Sequence, residues 1–182
     1  MNKTIPLTIL SILLIIQTAY ADTGNNYFGA NIGLFLVDEE NVNNNKVPHW
    51  KAVNLIVKLG HNYNRNFAIE GQLSIAGDDT NVVGGTSATL DKKVGLGIYL
   101  RGNYWPGNSK TNIYVLAGLS HTRMDTTLQG SSIPDSSNDL SAGLGIDYYF
   151  NENTAISLEG MQVIHGDSYE LQTLGIGIVR TF

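Results

Sequence analysis

From residue 28 onward the chain alternates apolar residues with small or polar ones at a strict period of two. In 28–36 the even positions read Phe28, Ala30, Ile32, Leu34, Leu36, and Gly29, Asn31, Gly33 and Phe35 stand between them. In 94–104 the sets are Val94, Leu96, Ile98, Leu100, Gly102, Tyr104 against Gly95, Gly97, Tyr99, Arg101, Asn103. Residues 140–150 repeat it, with Leu140, Ala142, Leu144, Ile146, Tyr148 and Phe150 on one face. A period of two belongs to extended strands with two unlike faces, and a helix cannot use it. Residues 52–61, 67–76, 112–123, 154–164 and 173–182 fit the same template. The chain is therefore expected to be all-β, with eight strands of about 9–12 residues, the length of a tilted transmembrane strand.

The connections alternate as well. Short turns rich in Asn, Gly and Pro follow strands two, four and six, at 62–66, 106–110 and 151–153. Such residues suit tight reversals because they tolerate or fix the unusual φ values a turn needs. Longer polar stretches follow strands one, three and five, at 37–51, 77–93 and 124–139, and a shorter one at 166–172. Short turns at one end and long loops at the other is the asymmetry of an antiparallel up-and-down barrel in a membrane, with turns and both termini periplasmic.

A soluble eight-stranded barrel would need charge on its outside. Only 15% of this chain is charged, and the face opposite the apolar one is mostly Gly, Asn, Ser and Thr. That face suits a crowded interior, while the apolar face suits lipid; a closed barrel leaves no unpaired backbone in hydrocarbon. Tyr63, Phe67, Tyr104, Trp105, Tyr148, Phe150 and Phe182 gather near the turn ends, where an interface girdle belongs. An eight-stranded antiparallel transmembrane β-barrel is the expected fold.

The first residues point the same way. Lys3, an apolar run over 5–16 and the small-residue pattern Ala19-Tyr20-Ala21 have the layout of a secretory signal peptide, cleaved between Ala21 and Asp22. The run is too short for a spanning helix. Residues 1–21 are then a signal peptide and 22–182 one barrel domain. The net charge is -5 and there is no basic cluster, which argues against nucleic-acid binding. With no cysteine, an exported domain has to be held by a large sheet, a core or its lipid surroundings.

Three stretches carry a resemblance: Tyr114 to Leu119 (YVLAGL), Gly143 to Phe150 (GLGIDYYF) with Asn151, and the closing Gly175 to Phe182 (GIGIVRTF). Over the whole of 22–182 the chain resembles the OmpA-type and opacity-type family of small outer-membrane β-barrels. The resemblance implies an outer-membrane location, contact with membrane lipid and lipopolysaccharide, and a terminal aromatic, Phe182, read by the barrel assembly machinery. Arg180 departs from the pattern, which has an apolar or aromatic residue there.

The interior face holds one constellation. Folding the second and third strands about Asn64 sets Lys58 opposite Glu70; Arg101 lies at a similar height, and Asp147 and Glu159 lie above the turn at 151–153, with Glu159 facing Gly145. Two cations and three carboxylates then share one layer, read as a salt-bridged plug in a narrow barrel, with a gate as the alternative. The excess carboxylate calls for an ordered water or a raised pKa on one acid.

No catalytic set emerges. His165, Asp167, Ser168 and Glu170 are near neighbours in one polar loop, a spacing that rarely yields triad geometry. His49, His61 and His121 show no metal-ligand spacing, and Asp38-Glu39-Glu40 and Asp78-Asp79 read as solvated loop charge. No cofactor and no metal are expected. The role expected is non-enzymatic: envelope integrity, or recognition of an external ligand through loops 37–51, 78–93 and 124–139. A narrow channel and a lipid A-modifying enzyme are the alternatives.

Overall fold

The computed structural model describes residues 26–39, 50–83, 86–107, 110–128, 131–164 and 169–182. Its strands are β1 (Asn26–Glu39), β2 (Trp50–Asn62), β3 (Phe67–Ala76), β4 (Asp78–Val83), β5 (Thr86–Tyr104), β6 (Thr111–Leu128), β7 (Ser131–Tyr149), β8 (Thr154–Ile164) and β9 (Tyr169–Thr181). β3 and β4 are two parts of one barrel strand. Ser74 pairs with Gly95 and Asp78 with Asp91, the same register against β5 on either side of an interruption over residues 75–77. Each strand pairs antiparallel with its neighbours, β1 pairs with both β2 and β9, and β3 pairs with β5, so the sheet closes as an eight-stranded barrel.

The closure seam sits at the chain ends. The Phe182 N–H donates to the Asn26 carbonyl at 2.9 Å and the Asn26 N–H to the Phe182 carbonyl at 3.2 Å. This reciprocal pair ties the backbone groups at the short-turn end of the β1–β9 ladder.

Alternation decides which way each side chain points, and the result is the reverse of a soluble protein. Leu100 is 70% exposed and Leu144 66%, whereas Lys58, Glu70 and Asp147 are 0% exposed. Ile32, Val53, Leu73, Ile98, Leu119 and Ile176 continue the outer apolar band. Tyr63, Phe67, Tyr104, Tyr148 and Phe150 are exposed at the short-turn end of that band, and Trp105 and Phe182 are half-buried there. Water cannot cover so continuous an apolar surface; lipid can.

Inside, three tyrosines are buried, and each stands opposite a glycine: Tyr27 opposite Gly60, Tyr99 opposite Gly118, Tyr114 opposite Gly145. A Cβ at any of these glycines would overlap the tyrosine facing it. The absent side chain gives each ring room to lie against the wall, which is how a lumen this narrow holds rings at all.

Two expectations change. Strands run to 19 residues rather than twelve, because pairing continues beyond the apolar band. The stretches 78–93 and 124–139, expected as loops, are mostly strand: β4 pairs with β5 from Asp78–Asp91 to Val83–Thr86, and β6 pairs with β7 as far as Leu128–Ser131. Ser, Thr and Asp on both faces hide the alternation there, yet backbone hydrogen bonding needs no apolar side chain. The expected signal peptide, with Ala21 and Asp22, and most of loop 37–51 lie outside the described residues.

Candidate functional site

The interior layer gathers charged side chains from five strands: Lys58 on β2, Glu70 on β3, Arg101 on β5, Asp147 on β7 and Glu159 on β8. All are at most 3% exposed. Lys58 Nζ pairs with Glu159 Oε2 across the lumen at 2.7 Å. Arg101 bridges two acids, with Nη1 on Glu70 Oε2 at 3.0 Å and Nη2 on Asp147 Oδ2. Its guanidinium also lies over the Tyr114 ring, 3.6 Å from the centroid, and within 5.1 Å of the Tyr27 ring. A planar cation can do both at once: its edge donates to carboxylates while its face meets the aromatic quadrupole.

Neutral donors complete the network. The Tyr27 hydroxyl donates to Glu70 Oε2 at 2.6 Å, and the Gln72 amide donates to Glu70 Oε1 at 2.8 Å and Glu159 Oε1 at 3.3 Å. The Tyr114 hydroxyl donates to Glu159 Oε2 at 2.8 Å. Lys58, Glu159, Gln72, Glu70, Arg101 and Asp147 thus form one connected chain of polar contacts across the barrel. Where the sequence suggested water or a proton for the excess carboxylate, two tyrosines and an amide donate to Glu70 and Glu159, while Asp147 Oδ1 has no hydrogen-bond partner. Their alternation phase puts Tyr27, Tyr114 and Gln72 on the inner face, and that phase is the signal that finds them.

The register corrects one expectation. Lys58 lies opposite Gln72, and Glu70 lies opposite Gly60. The turn is centred one residue later than Asn64 because the Asn64 side chain accepts the N–H groups of Asn66 and Phe67, at 2.8 and 2.9 Å. A two-residue shift keeps every side chain on its own face, so both charges still point inward, but the cation finds a different carboxylate. Glu159 lies opposite Gly145.

On the side of the layer away from the turns the lumen narrows to a cavity of about 40 Å³ beside Asn54, Tyr99, Ser120 and Met161. On the turn side it widens into a vestibule of about 690 Å³ whose wall includes Arg101, Asn103, Trp105, Asn112 and Tyr149.

Among the described residues, no group of three or more His, Asp or Glu is placed to hold a metal ion. His61 Nδ1 lies 2.8 Å from Asn26 Oδ1 and His121 Nδ1 2.9 Å from Asn138 Oδ1, both local strand-to-strand contacts. His49, His165, Asp167 and Ser168 lie outside the described residues.

A closed barrel with charge inside and a continuous apolar exterior is a transmembrane β-barrel. The chain belongs to the outer membrane protein beta-barrel domain family, whose model matches residues 7–182. The family places it in the outer membrane. Neisserial surface protein A is 17% identical, with a TM-score of 0.64, over 86% of this chain and 97% of that one. The outer membrane protein OprG from Pseudomonas aeruginosa is 14% identical, with a TM-score of 0.63, over 87% and 97%. Ail, the attachment invasion locus protein of Yersinia pestis, solved in complex with the heparin analogue sucrose octasulfate, is 14% identical, with a TM-score of 0.62, over 87% and 99%. At these identities the likeness is one of fold. No curated protein sequence matches the chain.

Proposed function

We propose that this chain is a non-enzymatic surface-presenting barrel: a closed scaffold that holds a rigid β-sheet outside the membrane. The observation that carries this reading is the length of β5, β6 and β7, at 19, 18 and 19 residues. About 9–11 residues cross a bilayer, so roughly eight in each strand lie beyond it. With β4 they make a four-stranded sheet, since β8 leaves β7 at the Leu140–Ile164 pair and β6 carries on to Leu128. A sheet is a stiffer platform than a loop, and rigid presentation lowers the entropic cost of binding. The ends of the chain then lie in the periplasm, Phe182 serves barrel assembly, and the apolar band meets lipid and the base of lipopolysaccharide.

The relative solved with a heparin analogue raises a sulfated glycan as a partner. The charges here oppose it. Asp78, Asp79, Asp91, Asp125 and Asp135 in the sequence of the protruding segments outnumber Lys92, Lys93 and Arg123. A neutral or cationic surface suits this sheet better than a polyanion.

The second reading, a narrow pore, rests on the interior charges acting as a gate. The connected network and the cavity of about 40 Å³ beyond it favour a plug. Conductance of the refolded protein in a planar bilayer, with a Glu70→Gln variant beside it, separates the two. A silent bilayer with insertion verified is the expected result. Steady openings that the variant alters would make the pore the function.

A further inference from the structure

The vestibule at the short-turn end is walled by asparagines whose amides are only half used. Asn112 is 2% exposed, and its Oδ1 has no hydrogen-bond partner. Its Nδ2 is taken, donating to Asn103 Oδ1 at 2.9 Å, and Arg101 Nε donates to that same oxygen at 2.9 Å. Both side-chain contacts of Asn103 thus fall on its oxygen, and its Nδ2 has no partner among the described residues. The turn asparagines on the same wall repeat the pattern. Asn64 Oδ1 accepts from the N–H groups of Asn66 and Phe67, and Asn151 Oδ1 from those of Asn153 and Thr154, which leaves each Nδ2 to donate. A buried amide oxygen without a donor costs appreciable free energy. The wall therefore asks for a ligand that donates to Asn112 and accepts from its neighbours.

We propose that this vestibule binds a neutral sugar. A hydroxyl donates and accepts at one atom, so hydroxyls on neighbouring ring carbons serve Asn112 Oδ1 and Asn103 Nδ2 together. The charges on the wall select no ion. Arg101 is already held by Glu70 and Asp147, and Arg65 and Lys110 share the mouth with Glu152. A carboxylate brings no hydrogen for Asn112; an ammonium brings no acceptor for Asn103 and faces three cations. Hydroxyls accept from Arg65 and Lys110 and donate to Glu152, so no group on the wall opposes them. The apolar face of a sugar ring has a counterpart too. Trp105 and Tyr149 stand on the same wall, with ring centroids 5.4 Å apart and planes at 38°. The indole N–H is already spent on the Arg65 carbonyl, at 3.1 Å, so Trp105 presents only its ring. The C–H groups of a pyranose carry slight positive charge and suit the negative face of an aromatic ring. A volume of about 690 Å³ admits a mono- or disaccharide.

Trp105 provides the signal. The chain has two tryptophans, so in Trp50→Phe protein the remaining indole reports on the vestibule. That protein, refolded in phosphocholine micelles whose head groups carry no sugar, is titrated with the methyl glycosides of glucose, galactose, mannose and N-acetylglucosamine. A saturable change in indole fluorescence is expected with at least one of them. The 2-amino and uronic acid counterparts of the sugar that binds should bind no tighter than the neutral form. Asn112→Leu, which keeps the bulk and removes the amide, should weaken binding by about tenfold, the loss of one hydrogen bond in a buried site. The charged counterparts need no further variant, so they decide the ligand class even where Asn112→Leu does not fold. No saturable change with any of the four glycosides overturns the proposal. A tenfold preference for either charged counterpart also overturns it, because the site is then an ion site. So does a folded Asn112→Leu protein that binds as its parent does.

Discussion

Tyr114 and Gly145 face one another across the β6–β7 ladder, and the ring occupies the space that a side chain on residue 145 would need. The carbonyl of Leu158 closes the same space from the other side, 2.8 Å from where a Cβ would stand. A ring can tilt, but a backbone carbonyl in the barrel wall cannot. Gly145→Ala should therefore destabilise the folded barrel by about 2 kcal/mol, the usual cost of overpacking. Gly71→Ala is the control: its nearest neighbour would be 3.9 Å away, and it should be neutral. Urea unfolding in lipid vesicles, followed by the gel-mobility difference between folded and unfolded barrel, measures both.

Lys58→Met removes the cation from a buried pair and leaves Glu159 with only neutral donors. Breaking a buried ion pair from one side costs about 3–5 kcal/mol, because the stranded charge keeps its desolvation penalty. Lys58→Met combined with Glu159→Gln should recover most of that loss. Equal stability of the single and double variants would mean that the pair is not coupled.

Arg101→Lys should behave as a disruptive change despite conserving charge. The guanidinium meets Glu70, Asp147 and Asn103 through separate nitrogens and stacks on Tyr114. An ammonium has no planar face and no fixed fork, so at least one acid loses its donor. A loss of about 2 kcal/mol in the same unfolding assay is expected.

Leu144→Arg tests which solvent the outer face meets. Leu144 is 66% exposed near the middle of the apolar band, opposite Val115. In lipid, arginine there costs about 2–4 kcal/mol; at an exposed position in water it would be close to neutral. Glu152→Arg, in an exposed turn, should have little effect on the same barrel.

The direction of every interior side chain was legible in the sequence, because a strand's two faces alternate whatever the register. That is why Lys58, Glu70, Arg101, Asp147 and Glu159 could be assigned to the inside, and why Tyr27, Gln72 and Tyr114 belong to the same set. Strand number and the apolar band were legible for the same reason, since each crossing has to present lipid with apolar residues. The ends of β5, β6 and β7 were not. Beyond the membrane neither face is constrained to be apolar, so the pattern fades while the hydrogen-bonded ladder continues to Leu128 and Ser131.

Partnership is what only the tertiary structure decided. Lys58 on β2 reaches Glu159 on β8, five barrel strands further along the chain, a contact created by closure of the sheet and by no local rule. Even the local pairing of β2 with β3 depended on one side chain, Asn64, which sets the turn centre and moves Glu70 from Lys58 to Gly60. The sequence by itself determined a barrel with its polar face inward, because period and composition act residue by residue. Which charges meet, and which acceptors at Asn112 and Asp147 are left over, follows from shear and closure, which are properties of the whole sheet.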